Sequence, residues 1–181
     1  MKLDYTDNLN YPTDGALLEV GLTGRYNNDN DVTGNFDARF AYYTSIDIGI
    51  LATFAGAVNF KETFGDAAFY HLSRLGSQSN FRGFNRNRFL DERALLLNAE
   101  LRFRLGTIKT PFGRSAFGVY GFFDNGRVWN DTVEFSNLDW RSAYGGGIYL
   151  APVKEFYFIK YVIAATDEES VYMQFELGFK F

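Results

Sequence analysis

The chain has 181 residues, a length that suits one domain. It holds no run of eighteen apolar residues, which excludes a membrane-crossing helix, and no cysteine, which excludes a disulfide framework and thiolate chemistry. Its net charge of −4 argues against a nucleic-acid partner. Hydrophobic content of 46% with mean hydropathy slightly below zero is what alternating strands produce, and aromatic residues at 19% exceed the usual globular share.

The first fourteen residues, beginning Met1-Lys2-Leu3-Asp4, lack the apolar core of a secretion signal and read as a lead-in. If the protein is exported, this is a mature or truncated form, or a piece of a longer chain. Period-two alternation then marks eight candidate strands. Ala16, Leu18, Val20 and Leu22 oppose Leu17, Glu19, Gly21 and Thr23; Phe36, Ala38, Phe40 and Tyr42 oppose Asp37, Arg39, Ala41 and Tyr43. A third strand covers 48–60. In the fourth, Leu95, Leu97, Ala99, Leu101 and Phe103 oppose Leu96, Asn98, Glu100, Arg102 and Arg104. Strands at 117–129, 142–151 and 157–165 follow, and 171–181 is the closing strand. There Val171, Met173, Phe175, Leu177, Phe179 and Phe181 share one face. Most of these segments are long enough to cross a bilayer when tilted. With the last strand ending in the periplasm, the connections at 27–33, 61–93, 130–141 and 167–170 face outward, and the turns at 45–47, 106–113 and 152–155 face the periplasm. Long loops on one side and short turns on the other suit an outer-membrane barrel.

Alternation alone does not say which face is inside. A soluble eight-stranded barrel with an apolar interior has the same period. Against it, the polar faces pool both signs of charge: Glu19, Arg25, Asp37, Arg39, Glu100, Arg102, Arg104, Asp124, Lys160 and Glu176. Such residues are able to pair across a narrow lumen.

Three motifs stand in order along the chain. The longest loop carries Phe81-Arg82-Gly83-Phe84, the fifth strand carries Phe122-x-Asp124-x-Gly126, and the closing strand carries Phe175-x-Leu177-Gly178-Phe179-x-Phe181. From about Thr13 onward this order resembles the C-terminal half of the BamA-like superfamily, whose barrels insert or translocate proteins at the bacterial outer membrane. The resemblance implies an all-β, antiparallel transmembrane barrel forming a single domain over 1–181. It also implies that Arg82 at the loop tip pairs with Glu100 and Asp124 on the lumenal wall, with Gly83 turning the backbone. The closing strand resembles the signal by which assembly machinery recognises client barrels through strand addition. Implied partners are outer-membrane lipid, client outer-membrane or secreted proteins, and that machinery.

Family members have sixteen strands and periplasmic domains ahead of the barrel; eight strands correspond to half of one. A homodimer of two halves would restore the larger pore, and a stand-alone structural or ligand-binding barrel without transport activity is the alternative. An isolated eight-stranded barrel is filled by its own side chains, which predicts that 61–93 is displaced outward. No enzyme chemistry is expected: the single histidine, His71, stands two residues from Ser73, a spacing that makes no dyad, and one histidine without cysteine supplies neither a metal site nor a need for a cofactor.

Overall fold

The computed structural model describes residues 1–8, 11–26, 32–76, 81–110, 113–132, 139–152, 159–168 and 172–177. The strands are β1 (Lys2–Asp4), β2 (Gly15–Tyr26), β3 (Val32–Asp47), β4 (Leu51–Phe64), β5 (Ser73–Leu75), β6 (Phe89–Asp91), β7 (Arg93–Thr110), β8 (Gly113–Trp129), β9 (Arg141–Pro152), β10 (Ile159–Thr166) and β11 (Tyr172–Leu177). Nine form one antiparallel sheet in the order β1-β2-β3-β4-β7-β8-β9-β10-β11, and β5 pairs with β6 inside the long loop. Each of the eight alternating segments overlaps a strand of this sheet, the last of them described only over Tyr172–Leu177. The ninth, β1, comes from the lead-in and pairs Lys2 with Glu19 on β2.

Several strands run further than alternation shows. Residues 45–47, expected as a turn, continue β3, which pairs Asp47 with Leu51; the expected turn at 106–113 shrinks because Thr110 still pairs with Gly113. Backbone ladder bonds continue there after the side-chain pattern has lapsed. A β-bulge between Arg104 and Gly106 slips the β7–β8 register and bends the sheet.

Register assigns each side chain to a face. One face carries Leu17, Glu19, Arg39, Ala41, Tyr43, Ala57, Leu96, Asn98, Glu100, Arg102, Tyr120, Phe122, Asp124, Tyr149, Lys160 and Val162, and most of these are buried. The other carries Leu22, Phe40, Phe54, Leu97, Leu101, Phe123, Ile148, Ile163 and Met173, all exposed. The buried face is thus the charged one: Glu100 is 1% and Arg102 0% exposed, against 61% for Ile148 on the apolar face. A soluble barrel would have the opposite arrangement.

The sheet is strongly curled around its charged face. Lys160 Nζ on β10 lies 3.4 Å from Glu100 Oε2 on β7, although three interstrand steps of about 4.8 Å separate those strands. Side chains standing off a flat sheet would not meet. Among the described residues no ladder joins β11 to β1 or β2, so the closure expected of a barrel is not present in this sheet. The concave side is filled by small residues (Ala41, Ala55, Ala57, Ala94, Ala143, Ala151 and Ala164) set among the aromatic and charged ones. That composition leaves room for something else to enter.

Candidate functional site

What enters is the tip of the long loop. After Gly65 and the β5 strand, the chain returns so that Phe81, Phe84 and Phe89 pack together, with ring centroids 4.4 Å (Phe81–Phe84) and 5.0 Å (Phe84–Phe89) apart. Phe81 and Phe84 bury against Leu75 of β5 and against Ala94, Leu96 and Ala143 on the concave wall. The expected outward displacement of 61–93 is therefore not what is found. A wall of alanines around an unclosed sheet accommodates a loop that a closed eight-stranded barrel would exclude.

Gly83 sits at φ +82°, in the left-handed region that favours glycine. A Cβ there would lie 2.8 Å from Thr166 Cγ2 and 3.1 Å from Ala164 Cβ, so the tip backbone rests directly on β10. Gly126 has a matching role on β8. A Cβ at that position would come 3.1 Å from both Leu96 Cδ1 and Phe81 Cε1, a tight contact with the seated ring.

Arg82 is held by both of its expected acids. Its Nε donates to Asp124 Oδ2 at 2.8 Å and its Nη2 to Asp124 Oδ1 at 2.6 Å, a bidentate fork; Nη1 donates to Glu100 Oε2. The Arg82 backbone N–H also donates to Asp124 Oδ2, at 3.2 Å, and the guanidinium lies 3.9 Å from the centre of the Phe122 ring. Burial disfavours the Arg82 charge, but the neighbouring Asp124 and Glu100 carboxylates outweigh it and raise its pKa. Asp124 is completed by Asn98 Nδ2 at 2.8 Å, and Asn98 in turn accepts from Asn59 Nδ2 at 3.0 Å.

Two further cations converge on Glu100. Arg102 Nε donates to Oε1 at 2.6 Å, and Lys160 Nζ donates to Oε2 at 3.4 Å. Five buried charges thus form one network of two acids and three bases. The sequence pattern places Arg102 and Lys160 on the polar face but not as partners of Glu100. The available signal was parity: Arg102 follows Glu100 by two residues and so shares its face. On the far side of the loop tip, Lys2, Glu19, Asp37, Arg39, Asn59 and Lys61 line an open cavity of about 480 Å³ on the β2–β4 wall.

The structure therefore brings together Arg82, Gly83, Phe84, Glu100, Asp124 and Gly126. The closing-strand positions lie apart from them. Phe175 and Leu177 pair with Tyr161 and Ile159 along β10, while Gly178, Phe179 and Phe181 lie outside the described residues. In the long loop, Ser73 Oγ donates to the Glu92 carbonyl at 3.0 Å, and the His71 carbonyl accepts from Asn35 and Thr63.

No curated protein matches this chain. The family model described as the Omp85 superfamily domain matches residues 1–181. With an Arg-Gly-Phe loop tip seated on a charged concave wall, the chain belongs to the Omp85, BamA-like, superfamily.

Proposed function

We propose that this chain is the C-terminal half of an outer-membrane barrel that inserts or translocates proteins. The observation that carries this reading is the inversion of the sheet: charges gather on the buried concave side, and large apolar side chains such as Phe40, Phe54, Leu101 and Ile148 face outward. In water such a surface is a liability, whereas against hydrocarbon it is the solvated face. The unclosed sheet fits a half-barrel. β1 covers β2 only as far as Glu19, with Met1 reaching the Val20 carbonyl, which leaves Gly21 onward for an upstream strand. The charged cavity on the β2–β4 wall is where the other half of the lumen would continue. In this reading the lipid is that of the bacterial outer membrane, the clients are outer-membrane or secreted proteins, and the sequence from Phe175 to Phe181 carries the signal that assembly machinery reads.

The test has two stages. The chain refolded alone into phosphatidylcholine vesicles is compared on gels before and after boiling, and again with an upstream barrel half supplied. Heat-modifiable mobility only with the upstream half supports the half-barrel. The reconstituted assembly must then accelerate insertion of an unfolded client barrel over empty vesicles; equal rates would sink the transport role.

A further inference from the structure

We propose that the described residues between β1 and β2, 5–8 and 11–14, act as a strap across the turn-side mouth of the lumen, and that Arg102 couples its seating to the docking of the Arg82 loop tip. The proposal stands on the buried ion network and does not depend on the transport role. The strap is a built element. Asp7 closes it by accepting hydrogen bonds from Thr13 N at 2.8 Å, Thr13 Oγ1 at 2.6 Å and Asp14 N at 3.0 Å. Gly15 turns the chain back into β2 at φ +109°, where a Cβ would fall 2.1 Å from the Tyr5 carbonyl oxygen. Closed in this way, the strap projects Tyr11 and Pro12 under the sheet.

Its far contacts reach the opposite wall near the hairpin ends. The Tyr11 hydroxyl lies 2.6 Å from that of Tyr149 on β9, with the rings 5.4 Å apart. Ser45 Oγ on β3 donates to the Thr13 carbonyl at 2.6 Å. Arg102 Nη1 donates to the Pro12 carbonyl at 3.0 Å, and its guanidinium lies 5.5 Å from the centre of the Tyr11 ring. The strap therefore spans from the β2 edge to β9, a bridge possible only because the sheet is curled.

One carboxylate joins the two ends. Arg102 holds the strap with Nη1 and Glu100 with Nε, and Glu100 holds Arg82 of the loop tip. Arg102 is fully buried, so losing the Pro12 carbonyl leaves a buried cation short of an acceptor. Arg102 then competes harder for Glu100, the carboxylate it shares with Arg82. Unseating the strap thus loosens the tip, and by linkage loosening the tip unseats the strap. Arg102 is a positioning residue, acting through Glu100.

The experiment is hydrogen–deuterium exchange on the full chain in phosphatidylcholine vesicles, read over 5–14 and 81–89. Tyr11→Ala is expected to accelerate exchange at the loop tip about tenfold as well as at the strap, and Arg82→Lys to accelerate exchange at the strap. Arg102→Lys keeps a cation on Glu100 but gives up the second nitrogen on Pro12; in that background Tyr11→Ala should not accelerate the tip further. Tyr11→Phe, which removes the hydroxyl pair with Tyr149 and keeps the ring, should give a smaller change of the same sign if Tyr11→Ala does not fold. Acceleration confined to the strap overturns the coupling. Equal effects of Tyr11→Ala with and without Arg102 overturn the assignment of that residue.

Discussion

At the scale of single residues, Arg82 ties the loop tip to the charged interior: its guanidinium binds both Asp124 and Glu100 and lies over the Phe122 ring, and its backbone amide donates to Asp124. Removing it leaves two buried acids with fewer counter-charges. Arg82→Ala is therefore expected to cost about 3–5 kcal/mol in urea unfolding from lipid vesicles, and Arg82→Lys less, because charge survives while the fork does not. Gly126 makes a different claim. A Cβ there would sit 3.1 Å from Phe81 Cε1 and Leu96 Cδ1 and press the ring and the branch aside, so Gly126→Ala should cost about 1 kcal/mol through overpacking. The same unfolding measurement checks it, and an unchanged midpoint would show that Phe81 is not seated there.

At the scale of elements, the loop tip and the strap enter the concave side from opposite ends. Each is stiffened locally, the loop by the β5–β6 pair and its aromatic cluster, the strap by Asp7. Ion pairs on the loop side, Arg88 with Glu168 at 2.9 Å between two loops and Arg93 with Glu62 at 2.7 Å between β7 and β4, are exposed enough to contribute little individually. Asp7 gives the strap a pH dependence. Partial burial pushes its carboxyl up, but hydrogen bonds from Thr13 and from the Asp14 amide push it down further, so its folded pKa is lowered. A depressed carboxyl contributes stability in full above its unfolded pKa of about 3.9 and loses it as pH falls through the folded value. The difference in unfolding midpoint between the native chain and Asp7→Asn should therefore be largest above about pH 4 and vanish on further acidification. A difference that persists at the acid end would mean the carboxylate is not what closes the strap.

At the scale of the whole molecule, burial of the charged face and exposure of the apolar face make opposite demands on substitution. Leu101→Arg on the convex face should cost about 2–4 kcal/mol for folding into a bilayer if that position lies near the midplane. Leu101→Ala at the same exposed site should be nearly neutral. Equal effects of the two, measured by urea titration of folding into vesicles, would argue that this face does not meet hydrocarbon.

Period-two alternation determined the eight long strands, their faces and the parity that puts Glu100 and Asp124 on the wall facing Arg82. The ordered motifs determined the family. These are local properties, written in the spacing of neighbouring residues. Only the tertiary structure decided how far the ladders run, that β1 extends the sheet, and that the loop tip lies within the concavity. It alone brought Lys160 and Arg102 to the same carboxylate and carried Tyr11 and Pro12 across to β7 and β9. The reason is curvature: contacts between strands several steps apart depend on how tightly the sheet bends, which register, the bulge at Arg104/Gly106 and packing around alanines set together, and no single strand's pattern encodes that sum.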